Sequence, residues 1–302
     1  MAWRQAADRG EPACQLIRFD ATDGVVLAGL LFEPSKRRES AIIWLHGTGG
    51  SSIFESRRTN LLARSLIDQG IAFFPFNNRG AHVVRRIGHD LGGAAFEKIR
   101  DCVPDIDGAV RELWRRGYRE IFLAGHSTGA NKIAVYDHYK RRNRIRGYLL
   151  IAGGDDVGLM LDQLGARGLK AMLTKAKGRI AEKRGREFVP YSLSELPMTW
   201  RGIYDLANPD GDYNVFPFRE AIKGPRVSRK PLFHLIHEIR KRSLYIYGEQ
   251  DQYAEGNVAG FVETLSKHVG DNAEIIVLEG SDHGFTGYEE ELGKLMGEWM
   301  EG

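Results

Sequence analysis

A serine in a glycine-rich turn is the feature of this sequence with the clearest chemical potential. Residues 125–129, Gly-His-Ser-Thr-Gly, match the pattern G-x-S-x-G and follow the apolar run 120–124, ahead of a stretch of helical character. A tight turn between a strand and a helix strains the backbone of its central serine and exposes the hydroxyl group. The pattern therefore predicts that Ser127 is a nucleophile that attacks a carbonyl carbon.

A serine nucleophile needs a base, and after a turn of this type an acid and a histidine follow in that order. Two short β-rich runs, 243–247 and 274–278, end shortly before Asp251 and His283. We predict that His283 is the general base and that Asp251 orients its imidazole ring. These two residues and the serine would form a catalytic triad.

Four segments together resemble the α/β-hydrolase superfamily, in its serine esterase and lipase-like branch. They are 46–50 (His-Gly-Thr-Gly-Gly), 125–129, 248–251 (Gly-Glu-Gln-Asp) and 281–284 (Ser-Asp-His-Gly), and they span nearly the whole chain. The resemblance implies an α/β fold with a mostly parallel eight-stranded sheet, helices on both faces and an inserted cap. Similar epoxide hydrolases and dehalogenases carry a carboxylate at the position of Ser127, so a serine there implies acyl transfer to water.

The resemblance also implies an oxyanion hole made of two backbone N–H groups. One is expected from Thr128, the residue after the nucleophile, and the other from the loop after the third strand. Thr48 is the preferred second donor and Gly49 is the alternative.

Some superfamily members place the acid of the triad after the sixth strand. Asp155 and Asp156 follow the sixth predicted strand of this chain and are therefore alternatives to Asp251. His46 is expected to brace the oxyanion loop, and His126 is expected to pack behind the nucleophile turn.

Eight short apolar or aromatic runs predict the strands of the sheet. Most are separated by segments of helix length, which favours parallel strands covered on both faces. The first two flank Asp23-Gly24, a pair typical of a hairpin, so the sheet should begin antiparallel. The runs are 15–20, 25–32, 41–45, 71–76, 121–124, 145–151, 244–247 and 274–278.

Helical spacing of apolar residues predicts helices over 60–69, 96–116 and 289–300. Pro104 interrupts the second pattern and predicts a kink or a restart of that helix. The apolar face of the last helix should cover the sheet rather than a partner molecule. The turn 77–80, Asn-Asn-Arg-Gly, is either a substrate contact or, as we favour, a structural turn.

One segment is too long for a single crossover helix. We predict that residues 155–242 form a cap inserted into a hydrolase core made of residues 1–154 and 243–302. Its first part, 159–184, has the pattern of an amphipathic, basic helix. Six aromatic residues follow, which either wall a substrate pocket or, as we favour, pack the cap onto the core: Tyr191, Trp200, Tyr204, Tyr213, Phe216 and Phe218.

Composition describes an ordinary soluble protein: 302 residues with 42% hydrophobic and 27% charged residues. A formal net charge of +3 is too small to predict a nucleic-acid partner. No apolar run is long enough to span a membrane, and charges are scattered through residues 1–10, where a signal peptide would be apolar. With only two cysteines as well, we expect a cytoplasmic protein without a membrane partner.

Neither a metal nor an organic cofactor is expected. His234 and His237 lie three residues apart, but the sequence has no H-E-x-x-H pattern and no third ligand marked by spacing. It also has no G-x-x-x-x-G-K-[ST] phosphate-binding loop.

The sequence therefore predicts a serine hydrolase, most simply a carboxylesterase that acts on a small to medium acyl or aryl ester. Two alternatives remain: a non-catalytic protein of the same fold that binds a small ligand, and an acyltransferase or thioesterase that uses the same triad. The identity of the substrate and the oligomeric state stay open.

Overall fold

An eight-stranded, mostly parallel sheet forms the centre of the fold, as the sequence predicted. The computed structural model describes residues 12–36, 39–53, 57–194 and 196–302, so the charged stretch 1–10 lies outside the described residues. Along the chain the strands are β1 (Cys14–Asp20), β2 (Val26–Phe32), β3 (Ser40–Leu45), β4 (Ala72–Asn77), β5 (Arg85–Ile87), β6 (Asp90–Gly92), β7 (Glu120–His126), β8 (Ile145–Ile151), β9 (Arg242–Gly248) and β10 (Ala273–Leu278).

The order of strands in the main sheet is β1-β2-β4-β3-β7-β8-β9-β10. Strand β2 is antiparallel to both β1 and β4, and every later pair, from β4–β3 to β9–β10, is parallel. The predicted antiparallel start and all eight predicted strands are thus confirmed. The hairpin of β5 and β6 was not predicted, because its two three-residue strands have no apolar alternation.

Helices cover both faces of this sheet. They are α1 (Arg57–Asp68), α2 (Cys102–Arg115), α3 (Thr128–Tyr139), α4 (Asp156–Ala181), α5 (Trp200–Ala207), α6 (Phe218–Ile222), α7 (His234–His237), α8 (Val258–Ser266) and α9 (Glu289–Glu301).

Alternate residues of β3 belong to two separate apolar clusters, one on each face of the sheet. Ile43 packs in the cluster that includes α2 and α3. Trp44, the next residue, packs in the cluster that includes α1 and α9. The apolar face of α9, with Leu292 and Met296 fully buried, covers the sheet as predicted.

Pro104 marks a helix restart, one of the two outcomes that the sequence predicted. A 3-10 turn at Ile99–Asp101 precedes α2, which begins at Cys102. Proline is tolerated in the first turn of a helix because the N–H groups there have no intrahelical partner.

The segment between β8 and β9 contains α4 to α7 and has two parts. Ten buried residues between Met160 and Ala207 form an apolar cluster of their own. Residues from Tyr213 to Ile239 instead contribute to the main core on the α2 and α3 face of the sheet. Gly165, with φ 66° and ψ 165°, breaks the regular geometry of α4 near its first third.

The described ranges contain no helix that is both long enough and apolar enough to cross a lipid bilayer.

Candidate active site

Ser127 lies in a strained turn between β7 and α3. Its backbone has φ 58° and ψ −128°, in a region that non-glycine residues rarely adopt and that costs about 1–3 kcal/mol. The flanking glycines allow this turn: a Cβ atom on Gly125 would lie 2.3 Å from the Gly129 carbonyl oxygen, and one on Gly129 would lie 2.4 Å from the carbonyl oxygen of Leu45. The turn therefore presents the serine at the carboxyl end of the sheet.

His283 and Asp251 are hydrogen-bonded to each other. The distance from His283 Nδ1 to Asp251 Oδ2 is 2.8 Å, and both side chains are buried. The second carboxylate oxygen of Asp251 accepts a hydrogen bond of 2.9 Å from the backbone N–H of Tyr253. These contacts hold the imidazole in the tautomer that has its proton on Nδ1, which leaves Nε2 free to accept a proton.

The two loops that supply this pair come close because β9 and β10 are neighbouring parallel strands. Gly248, at the end of β9, is paired in register with Leu278. A Cβ atom on Gly248 would lie 2.5 Å from the carbonyl oxygens of Ser281 and Asp282, so the crossing needs a glycine.

Asp155 and Asp156, the alternative acids, have other partners. Asp155 caps α4 by accepting from the N–H of Gly158 at 2.8 Å, and it accepts from the N–H of Arg219 at 2.7 Å. Asp156 accepts from the hydroxyl of Thr128 at 3.3 Å. Of the three candidate acids, Asp251 is the one that is hydrogen-bonded to His283.

His126 lies behind the serine turn, as predicted, and also supports His283. Its Nε2–H donates to the backbone carbonyl of His283 at 2.7 Å, and its Nδ1 accepts from the Arg58 guanidinium at 3.1 Å. Its ring stacks on Trp44 with an interplanar angle of 5°. Burial, together with the charge of Arg58, holds the pKa of His126 well below its usual value, so the ring is neutral. Sequence reasoning missed Arg58, because no motif marks an arginine at a helix start.

The loop after β3 lies directly against Ser127. A Cβ atom on Gly47 would be 3.1 Å from Ser127 Cβ, and the hydroxyls of Thr48 and Thr128 are 2.7 Å apart. Thr48 borders the cavity at Ser127, whereas Gly49 has a left-handed φ of 67° and is not among the described residues that border it. The structure therefore brings both preferred oxyanion donors to the serine, and their N–H function stays a prediction.

His46 braces this loop. Its side chain is buried, and Nδ1–H donates to the carbonyl of Gly47 at 2.8 Å. Burial, followed by the charge of Lys132, lowers the pKa of His46 to about 3. The ring is therefore neutral throughout the physiological range and has a structural position.

A cavity of about 680 Å³ is bordered by both Ser127 and His283. Its polar side includes Arg58 of α1, and the edge of the Tyr253 ring packs on His283 with 4.6 Å between centroids. Its apolar wall comes from the segment between β8 and β9 and consists of aliphatic and methionine side chains: Leu159, Met160, Leu196, Met198, Ile203 and Leu206.

The hypothesis that cap aromatic residues wall the pocket is wrong. Across the described chain, none of the six aromatic residues named above borders the cavity. Phe216 and Phe218 are buried in the main core, and Phe218 stacks on Phe261 with 4.1 Å between centroids. Trp200 packs in the separate cluster, where Lys175 lies over its ring. The favoured interpretation, packing onto the core, is correct for Tyr213, Phe216 and Phe218. Trp200 packs within the separate cluster instead, and Tyr191 is 78% exposed.

The turn at 77–80 is structural. Asn77 accepts from the N–H of Ser52 at 2.7 Å, and Arg79 forms an ion pair of 2.6 Å with Asp105. Within the part of the chain that the structure describes, no group of three metal-ligating side chains is found. His237 is instead hydrogen-bonded to His268, at 2.9 Å.

Comparison with known proteins agrees with this architecture. Residues 42–292 match the family model described as the alpha/beta hydrolase family, and the chain belongs to that family. Among curated proteins the chain has no match.

Several solved structures share the fold. Est1E from Butyrivibrio proteoclasticus is 17% identical with a TM-score of 0.60, over 94% of this chain and 97% of that one. The hydrolase GrgF from Penicillium sp. sh18 is 17% identical with a TM-score of 0.65, over 95% of this chain and 98% of that one. The esterase Pf2001 from Pyrococcus furiosus is 19% identical with a TM-score of 0.57, over 96% of this chain and 90% of that one.

The buried, neutral state of His46 predicts a loss of stability in mild acid. In the unfolded chain a histidine binds a proton below about pH 6.5, whereas folded His46 does so only near pH 3. Between these values the unfolded chain binds more protons than the folded chain. Each pH unit below 6.5 therefore lowers the free energy of unfolding by about 1.4 kcal/mol. The free energy of unfolding, measured with urea, should fall between pH 7.5 and 5.0 by about 2 kcal/mol less in His46→Gln than in the unsubstituted protein. Equal losses would contradict this account; the exposed His89→Gln is the control.

Proposed function

We propose that this protein is a serine hydrolase of the carboxylesterase type, with Ser127, His283 and Asp251 as its catalytic triad. The observation that carries the proposal is the buried His283–Asp251 hydrogen bond of 2.8 Å beside a cavity that Ser127 also borders. A nucleophile, a base and a group that orients the base are the parts that acyl transfer requires.

The reaction would proceed through an acyl-enzyme. His283 Nε2 takes the proton of Ser127 as the oxygen attacks the ester carbonyl, and Asp251 stabilises the imidazolium that forms. His283 then protonates the leaving alcohol as the ester C–O bond breaks. Water, deprotonated by the same histidine, attacks the acyl-enzyme and releases the carboxylic acid, which restores the serine.

The oxyanion of the tetrahedral intermediate would accept hydrogen bonds from the backbone N–H groups of Thr48 and Thr128. Thr128 is the first residue of α3, a helix of 12 residues, and its N–H group belongs to the positive end of the helix dipole. The link between the two threonine hydroxyls, 2.7 Å long, supports a fixed relative position of the two donors.

The cavity supports a substrate with a small to medium acyl group. Its volume of about 680 Å³ is within the usual range of small-molecule pockets, and its apolar wall suits an aliphatic chain. We propose that the segment 155–242 acts as the cap, with residues 160–207 forming the part that has its own core. Est1E has been solved with ferulic acid bound, which makes esters of aromatic acids a second group to assay.

Removal of the nucleophile tests the proposal. Ser127→Ala should lower kcat for p-nitrophenyl esters, acetate through decanoate, by about 10⁶-fold, because the hydroxyl forms the covalent intermediate. Ser266→Ala, which changes an exposed serine outside the cavity, is the control. Ester hydrolysis that survives in Ser127→Ala would contradict the proposal. Ligand binding without turnover would favour the binding-protein alternative, and transfer to added alcohols would favour an acyltransferase.

The apolar wall makes a prediction about chain length. Leu159→Trp should fill part of the cavity and lower kcat/KM for the decanoate ester about 10-fold or more, while the acetate ester changes less than about threefold. The matched control is Leu173→Trp, on the same helix but facing a different cavity, with Leu169 and Tyr204. An equal effect of the two substitutions on the decanoate ester would show that this wall does not contact the acyl chain.

A further inference from the structure

One carboxyl group of the active-site cavity has no part in the proposed triad. Asp156 is the first residue of α4 and borders the cavity together with Ser127. A Cβ atom on Gly154 would lie 3.9 Å from Asp156 Oδ1 and 3.9 Å from Ser127 Oγ. The carboxyl group and the nucleophile therefore face the same small space.

Asp156 is also connected to both proposed oxyanion donors. Its two oxygens are each 3.3 Å from the hydroxyl of Thr128, which is in turn 2.7 Å from the hydroxyl of Thr48. Asn131 of α3 donates to Asp156 Oδ2 at 3.0 Å and to the carbonyl of Gly154 at 2.8 Å. A chain of two hydroxyls thus joins the carboxyl group to the loop after β3.

Burial and the neighbouring charges together set the pKa of Asp156. Burial, and after it the negative charge of Asp155, raises the pKa of Asp156 to about 7. Lys132 of α3 acts in the opposite direction, but its ammonium is paired with Glu97 at 2.7 Å. Arg219 lies 3.9 Å from the carboxylate of Asp155. The other charged or titratable side chains that face Asp156 are Tyr213, which is buried, and Arg58, Tyr253 and His283, which border the same cavity.

We propose that Asp156 is a positioning residue of the oxyanion hole, which supports ester cleavage when neutral and restrains it when ionised. The inference rests on the proposed serine-hydrolase function. A neutral carboxyl group can donate its own O–H to Thr128, which then donates to Thr48, and no charge is added. In the ionised state Thr128 donates to the carboxylate, and a negative charge stands beside the site where the oxyanion develops.

The sign of the pH dependence follows from this difference. Like charges repel, and beside a protein surface they do so more strongly than in bulk water, so the ionised carboxylate raises the free energy of the transition state. Activity should therefore decline as the pH rises through about 7, the pKa of Asp156.

The test is the pH profile of kcat/KM for p-nitrophenyl butyrate between pH 6 and 9 at constant ionic strength. The unsubstituted enzyme should lose about 5- to 10-fold between pH 7 and 9, and Asp156→Asn should lose less than about twofold. Asp155→Asn should move the alkaline limb to lower pH, because it removes the charge that raises the pKa of Asp156. Glu182→Gln, at the far end of α4, should keep the unsubstituted profile.

A second pair of variants tests the hydroxyl chain and guards against misfolding of Asp156→Asn. Thr128→Val keeps the backbone N–H but removes the hydroxyl, and should lower kcat about 10-fold with little change in KM. Thr128→Ser should restore most of kcat.

Each outcome separates the two proposals. An alkaline limb that persists in Asp156→Asn, or a Thr128→Val enzyme as active as Thr128→Ser, overturns the role of Asp156 while Ser127-dependent hydrolysis stands. Hydrolysis that does not depend on Ser127 would instead overturn the proposed function, and the role of Asp156 with it.

Discussion

The parallel direction of the strands from β7 to β10 is the constraint on which the candidate site depends. Strands β7, β9 and β10 run in the same direction, so the loops that follow them, with Ser127, Asp251 and His283, emerge at one edge. The loops still have to touch, and glycine permits this where a Cβ atom would collide with a neighbouring backbone. Gly129 against Leu45 and Gly248 against Ser281 are such contacts. Sheet geometry thus determines which side chains meet, and backbone packing determines how closely.

Much of this arrangement could be predicted from local sequence. The eight strands are short, and each begins and ends within two residues of the predicted run. Short apolar runs that are separated by segments of helical pattern are typical of strands in a sheet covered by helices. The strained turn at Ser127 and the positions of Asp251 and His283 just after β9 and β10 were also predictable, because they depend on spacing along the chain.

Features that depend on tertiary contact could not be predicted in the same way. The hydrogen bond from His126 to the backbone of His283 joins residues 157 positions apart, and no local pattern reports it. The aromatic residues of the segment 155–242 illustrate the same limit, because composition alone could not distinguish a pocket wall from core packing. The aliphatic side chains that do border the cavity, such as Leu159 and Ile203, belong to no sequence motif that would mark them. The choice between Asp251 and the pair at 155 and 156 likewise needed the contacts themselves.

The site combines strain with neutral, buried polar groups. The backbone strain at Ser127 is offset by regular bonds on either side, from its N–H to the Ile151 carbonyl at 2.8 Å and from the Ala130 N–H to its own carbonyl at 2.8 Å. Burial keeps His46 and His126, which border the cavity together with His283, uncharged. If His283 is the general base, as we propose, its neutral neighbours suit an imidazolium that forms only during the reaction.

Covalent labelling of the nucleophile tests the central claim most directly. The protein is treated with a fluorophosphonate, its intact mass is measured, and the modified peptide is sequenced. We expect one phosphonyl group, located on Ser127, in the unsubstituted protein and in Ser194→Ala, whose serine borders the same cavity. We expect none in Ser127→Ala and strongly slowed labelling in Asp251→Asn. Labelling at another residue, or labelling that persists in Ser127→Ala, would contradict the account.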